Sequence, residues 1–462
     1  MDPWKCALST VIENLPDYVR AYQFGIAFTF AFMFLDNITK SGTFFLLKWL
    51  LLLLLVQNEF TEPDGKNSFA QTSCRPPALL LVGSLGDSLS NNLLRAAGQF
   101  SKPFCEHKPG GVILPTSLEV DLSGSKKPNS KCLRKAMKTL NTSQAKSIEL
   151  DKLCTNEEHT VLCGTIELAS GGIAYFPNLE LYKKKEITSL VYALENMTVG
   201  DSHSNYGVDS SSVHKISEEL SYPNETTIWA TVEVNPLHRN KAKDTILRLS
   251  QNCLSETDIF IETIGKTDQE CTTLLLSGNL KRIMHAFDIV VNIEEAAGPI
   301  KLMDESLADF CLSTTPGSEI VKSSLPNMKI YSSLLNACKS APTVKMEEKT
   351  SQLLKVYYLA MRRSSVRDRK TAPASALPTL FKLAKSNAKI NGRIVANELD
   401  AIVSIYIYDT FISNQTGTNY LGSKSFHHIA GMEHESMEEL NNTLVSINKQ
   451  LKDLINIPMD EM

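Results

Sequence analysis

The string with the clearest chemical content is Gly83-Ser84-Leu85-Gly86-Asp87-Ser88-Leu89-Ser90. Glycines followed by a serine are what a phosphate-cradling loop requires. Backbone N–H groups close around a β-phosphate, and the hydroxyl holds magnesium. The same chemistry needs a lysine just before that serine, to neutralise the β/γ charge. Here that residue is Leu89, and Asp87 adds a negative charge. The string has the backbone of a phosphate site without its counter-charge, and two glycines alone are a weak signal.

Three basic clusters could touch nucleic-acid phosphates. They are Lys126, Lys127, Lys131, Arg134, Lys135 and Lys138; His238, Arg239, Lys241 and Lys243; and Arg362, Arg363, Arg367, Arg369 and Lys370. The plain alternative for each is a solvated loop or helix face. Any such contact would be salt-sensitive and indifferent to base sequence. His427, His428, Glu433, His434 and Glu435 suggest a metal only superficially, since the string reads as a loop without cysteine; no metal site is expected. Asp151, Glu157, Glu158 and His159 read as polar surface.

A chain of 462 residues can bury a large core and a smaller one, which implies two folded units and a tail. Apolar residues at 43% and charged residues at 21% fit a globular protein. A net charge of −4 excludes a global basic bias towards nucleic acid, so DNA contact would have to be local. The ten cysteines form no C-x-x-C pair and accompany no histidine cluster. That argues against a zinc ribbon and a disulfide framework, and for a reducing compartment. Two N-terminal apolar runs, Phe24 to Leu35 and Thr43 to Val56, fall short of the roughly 18–20 residues a spanning helix needs. They read as buried helices under a larger domain, so no membrane partner is expected. Membrane anchoring through residues 24–56 is the competing reading.

Ala78 to Val82, stopped by Gly83 and followed by helical spacing from Asn91 to Phe100, is strand–loop–helix. Val161 to Leu168, Gly172 to Phe176, Ile228 to Val234 and Asp288 to Ile293 read as further strands. Strands alternating with helices imply an α/β sheet covered on its faces. From about 345 the pattern is helical only: Thr350 to Met361, Leu377 to Ile390, and a third helix capped by Asn397. Residues 413–434 read as loop, and Leu440, Leu444, Ile447, Leu451 and Leu454 make an amphipathic helix that docks on the chain or on a partner.

Several strings together resemble the minichromosome maintenance (MCM) family of AAA+ ATPases. Leu79 to Gly86 with Leu93-Leu94 resembles its Walker A region, L-L-L-V-G-D-P-G-x-x-K-S-x-L-L. Leu168 to Glu180 resembles the Walker B region, L-A-D-G-G-I-C-C-I-D-E-F-D. Ala230 to Pro236 resembles the sensor-one strand and keeps its asparagine as Asn235; Met284 to Val290 resembles S-R-F-D-L-x-F; Tyr357 to Arg363 resembles the lid helix, and Leu377 to Ala388 then Val395 to Ala401 resemble the last two helices. The resemblance implies a P-loop-type core with a parallel sheet, then an all-α lid. The expected units are 1–74 (helices and linker), 75–335 (α/β domain), 336–412 (lid) and 413–462 (tail).

Carried over residue by residue, the resemblance puts the phosphate lysine on Leu89, the magnesium aspartate on Pro177, the water-activating glutamate on Asn178, the arginine finger on Ala286 and the sensor-two arginine on Ser375. All five chemistries are lost. An arginine finger alone is worth about 10³–10⁵ in rate, so the expectation is a pseudo-ATPase needing no cofactor. Framework residues Gly83, Gly86, Gly171, Gly172, Asn235 and Pro236 remain, and Gly83, Gly86, Ser90 and Asn235 leave open weak ATP binding. An active enzyme would have to recruit Lys102 or Arg95 for the lysine and Glu180 for the base. In MCM rings, loops between the Walker motifs line the channel. That makes Lys126, Lys127, Arg134 and Lys135 the preferred DNA candidates, with contact direct or through a complex. The family's N-terminal zinc and OB region has no counterpart here. The pattern is most similar to a divergent branch implied to serve meiotic recombination in the nucleus with other MCM-like proteins. The replaced positions are expected to converge on one interfacial cleft.

Overall fold

The structure, a computed structural model, describes residues 17–36, 38–39, 41–57, 75–83, 87–114, 116–119, 159–195, 198–199, 222–223, 225–233, 278–293, 296, 325–367, 373, 375–416, 420–422, 424–429 and 434–456. Gly86, Asn235, Pro236, Lys126, Lys127, Arg134 and Lys135 lie outside them, as do the cluster around His238, the acidic string at Asp151, Arg369, Lys370 and Glu433.

Three helices lead in: α1 (Asp17–Ala21), α2 (Gly25–Met33) and α3 (Phe45–Val56). A five-stranded parallel sheet follows, built from β1 (Leu79–Gly83), β2 (Phe104–Glu106), β5 (Ile173–Phe176), β8 (Thr227–Glu233) and β9 (Ile289–Asn292) in the order β2-β5-β8-β1-β9. Helices α4 (Asp87–Gly98), α5 (Thr165–Leu168), α6 (Lys184–Glu195) and α7 (Gly278–Ala286) accompany it. Two antiparallel ribbons lie outside the sheet: β3 (Thr116–Glu119) with β4 (His159–Leu162), and β6 (Thr198–Val199) with β7 (Tyr222–Pro223). Helix α8 (Leu325–Ser340) leads to the lid helices α9 (Glu348–Arg367), α10 (Ala376–Ile390) and α11 (Glu398–Thr416), and α12 (His434–Asn456) closes the fold. This α/β sheet followed by a helical region is consistent with an AAA+ core and lid.

Both sheet faces are buried, which is why its strands read as continuous apolar runs. Alternation along each strand sorts the side chains. Leu79, Leu81, Tyr175, Trp229 and Val291 join one core with α3, α4 and the lid. Leu80, Val82, Phe176, Ala230 and Val290 join another with α6 and α7. Gly171, at φ +75, turns the chain into β5, a conformation that costs a side-chain-bearing residue energy. At Gly172 a Cβ would stand 1.8 Å from the Pro103 carbonyl oxygen. That close approach is what lets Ile173 N–H donate to the same oxygen at 3.0 Å and start the β2–β5 pairing.

Several sequence expectations need correction. Val161 to Leu168 is not one strand. β4 stops at Leu162 and α5 begins at Thr165, because the Glu167 carboxylate accepts from the Gly164 N–H at 3.2 Å and caps a helix start. The region after 345 is not helices alone, since β10 (Lys345–Met346) pairs in parallel with β11 (Val395–Ala396). Helices α8 and α11 run across the boundaries drawn at 335/336 and 412/413. Asn397 does cap α11, reciprocally: its Oδ1 accepts from Asp400 N at 3.2 Å, and Asp400 Oδ2 accepts from Asn397 N at 3.0 Å. The amphipathic α12 buries Leu440, Leu444, Ile447 and Leu451 against the chain's own α9 and α11. Every residue of α3 is buried. Among the described residues no helix is long and apolar enough to cross a membrane.

Candidate functional site

In a parallel sheet all carboxyl ends share one edge, where ligands of open α/β sheets sit. Gly83 ends β1 opposite Glu233 of β8, and Phe176 ends β5 opposite Ala230. Helix α4 starts at Asp87, four residues beyond Gly83, so its first turn stands over this edge. Its apolar stripe Leu89, Leu93, Leu94 and Ala97 faces inward, and Leu89 is 1% exposed within the core. Ser90 is half-buried. Pro177 follows β5 directly and is half-buried. Asn178 comes next at φ 54, a left-handed conformation that asparagine tolerates better than most residues.

Around Asn178 lies a network of uncharged side chains from three elements. Asn91 Nδ2 of α4 donates to Asn178 Oδ1 at 2.9 Å. Thr231 Oγ1 of β8 donates to Asn91 Oδ1 at 2.8 Å and accepts from the Asn178 N–H at 2.9 Å. The Tyr175 hydroxyl of β5 also donates to Asn91 Oδ1. Tyr175, Thr231 and Asn91 are all buried, so the mutual bonds hold them in one arrangement. Sequence reading missed Asn91, Tyr175 and Thr231. Their signal was faint: Thr231 is a polar residue between Ala230 and Val232, and Asn91 follows Ser90 in the glycine-loop string.

No protein-family model matches the chain. Among curated proteins it is 24% identical over 266 residues to minichromosome maintenance domain-containing protein 2 of Homo sapiens, covering 56% of this chain and 34% of that protein. It is 22% identical over 264 residues to the protein of the same name from Mus musculus, with the same shares of 56% and 34%. These two similarities support a divergent, MCM-related family. It spans about a third (34%) of the length of the curated relatives it matches.

The other positions assigned from the MCM motifs separate in space. Ala286 ends α7 ahead of β9 and lies at the amino edge of the sheet, opposite the Asn178 edge. Arg75, just before β1, organises that edge. Its guanidinium reaches Asp288 at 2.6 Å, the Ala286 carbonyl at 3.3 Å and the Leu194 carbonyl at 2.5 Å. Asp288 also accepts from Ala78 N–H at 2.6 Å. Gln415 of α11 donates to the Met284 and Phe287 carbonyls at 3.0 and 2.8 Å, capping the end of α7. Ser375 precedes α10, which reaches the amino edge at Lys382, a donor to the Arg75 carbonyl at 2.7 Å. Leu89, Pro177 and Asn178 share the carboxyl edge and Ala286 stands at the amino edge, so within one chain they form no single cleft; the expected cleft is one between subunits.

The alternative catalytic groups are placed as follows. Arg95 is held by Glu106, through Nε at 3.0 Å and Nη2 at 2.7 Å, with its guanidinium 6.0 Å from the Tyr175 ring centre. Lys102 precedes β2 and stands at the amino edge, away from Gly83. Glu180 lies at the carboxyl edge, in the 3-10 turn Leu179–Leu181. Among the described residues no group of three His, Cys, Asp or Glu could hold a metal ion. His427 is half-buried beside Phe411, and desolvation pushes its pKa down to about 4. His434 instead pairs with Glu438 at 3.6 Å.

Proposed function

We propose that the chain is a catalytically inactive MCM-like subunit that supports meiotic recombination and double-strand-break repair in the nucleus, within a complex of MCM-like proteins. It supplies a structural interface, and another subunit supplies hydrolysis. One observation carries the reading: the neutral network of Asn91, Tyr175, Thr231 and Asn178 on the sheet edge where an AAA+ enzyme handles phosphate. An amide cannot take a proton from water. Leu89, in the position of the phosphate lysine, is packed into the core and brings no charge. The likeness to the MCM relatives supports MCM-like partners, and the fold survives because its turns and core do not depend on catalytic groups.

The test is an ATPase assay on the purified chain, with background turnover expected. Turnover that disappears in Ser90→Ala and Asn235→Ala would overturn the inactive reading. Co-purification from meiotic tissue should recover MCM-like proteins. Recovery of the chain in a carbonate-resistant membrane pellet would defeat the nuclear assignment.

A further inference from the structure

An AAA+ motor works by moving its lid against its sheet domain as nucleotide turns over. We propose that in this chain the N-terminal helices and the tail fasten the lid to the sheet domain in one orientation that nucleotide does not change. The proposal deepens the inactive-subunit reading, although it stands on different residues.

Three sets of contacts carry it. First, the lid is bonded to the sheet domain directly. Asn414 Nδ2 donates to the Val290 carbonyl of β9 at 3.0 Å, Gln415 caps α7, and Lys382 Nζ reaches the Arg75 carbonyl. These tie α10 and α11 to the strand entry and helix end on which a hinge would have to turn.

Second, α2 and its flanks touch both bodies. Ala27 N–H donates to Asn391 Oδ1 at 3.2 Å just past α10, and Arg393 Nη1 donates to the Gln23 carbonyl at 2.8 Å. On the other side, the Phe34 ring stands 5.7 Å from that of Phe100, just past α4, and 5.2 Å from Tyr331 of α8. The Tyr331 hydroxyl donates to the Phe30 carbonyl at 3.1 Å. Helix α3, buried along its whole length, packs against α2, α8 and α10. A lid rotation would have to expose that helix to water.

Third, the segment ahead of α12 straps α3 in place. The His427 carbonyl accepts from Phe45 N–H at 2.9 Å, and Ile429 N–H donates to the Gly42 carbonyl at 3.0 Å. Phe426 N–H donates to the Tyr406 hydroxyl of α11 at 3.0 Å, which returns the strap to the lid.

The experiment uses the full chain with spin labels at noncanonical residues replacing Lys184 of α6 and Lys355 of α9, both exposed. Pulsed dipolar spectroscopy without nucleotide and with millimolar MgATP is expected to give one narrow distance distribution, the same in both. A distribution that is broad from the start, or that moves on adding MgATP, overturns the proposal. Asn391→Ala with Gln415→Ala should broaden it; a distribution as narrow as the parent's overturns the assignment to these contacts. If the pair fails to fold, the parent's MgATP comparison still decides. ATP turnover is measured on the same labelled chain. Turnover with an unmoved distance defeats the inactive reading and leaves the fastening, whereas a mobile distance without turnover does the reverse.

Discussion

Arg75→Met is the sharpest perturbation of the scaffold. The Arg75 side chain is 11% exposed and that of Asp288 2%. Removing the guanidinium leaves a buried carboxylate held by the Ala78 N–H. It also strips the Leu194, Ala286 and Pro76 carbonyls of a shared partner. Breaking one side of such a pair costs about 3–5 kcal/mol, mostly because the remaining charge is uncompensated. Adding Asp288→Leu removes that charge and orphans only the Ala78 N–H, a penalty of about 1–3 kcal/mol. The double variant should therefore be more stable than Arg75→Met by roughly 2 kcal/mol. Guanidinium unfolding followed by intrinsic fluorescence reads this directly, because Trp229 is buried on β8 beside β1. Midpoints should shift at constant slope. If Arg75→Met costs under about 1 kcal/mol, or the double variant is the weaker of the two, the ion pair does not hold the amino edge as argued.

Lys48 sits inside the fully buried α3, where desolvation, partly opposed by Asp36, lowers its pKa from 10.5 to about 7. The unfolded chain then binds more protons between these values, so stability should rise as pH increases from about 7 towards 10. Lys48→Met should flatten that rise and raise the melting temperature at neutral pH, where the charged-group penalty is on the order of 5 kcal/mol; a pH profile like the parent's would refute this. His427 gives the opposite end of the range. Its folded pKa of about 4 lies below the ordinary 6.5, so its contribution is complete above 6.5 and is lost as pH falls to about 4. His427→Gln should blunt acid unfolding there, and an unchanged acid midpoint counts against it. Leu89→Lys with Asn178→Glu, which introduces the two residue types the MCM resemblance puts there, should yield no ATPase and lower stability by ~3 kcal/mol, since a cation enters an apolar core. Turnover in that variant would show the edge to be open to nucleotide.

The strands were legible because both sheet faces are buried, so β1, β8 and β9 appear as apolar runs bounded by turn residues. Helix α12 was legible from the spacing of its leucines. The misreading at Val161 to Leu168 arose because β-branched and apolar residues continue through Gly164, while the helix start depends on one carboxylate bond from Glu167. At the site, sequence motifs supplied Leu89, Pro177 and Asn178 because they occupy fixed offsets from glycines. They could not supply Asn91 and Thr231, whose roles arise only when α4 and β8 bring them together across 140 residues of chain. Nor could they separate Ala286 from the others, since which edge a residue occupies depends on strand order and not on distance along the chain.

The amino-edge contacts also bear on how the proposed inactive subunit would keep its fold. At a working phosphate site, buried charges are supported by ligand and metal, and without them each becomes a desolvation cost. Leu89 and Asn178, where the MCM resemblance puts a lysine and a glutamate, carry neither cost: the first packs in the apolar core and the second joins mutually bonded amides and hydroxyls. The one strong ion pair of this sheet domain that is deeply buried among the described residues, Arg75 with Asp288, lies at the opposite edge, where it joins β1, β9 and, through Lys382, the lid. The deeply buried ion pair of the sheet domain thus stands where it fastens elements, and uncharged side chains meet around Asn178 at the other edge. A subunit inactive in the way proposed would be stable in its empty state, as a partner relying on its shape and not its turnover would require.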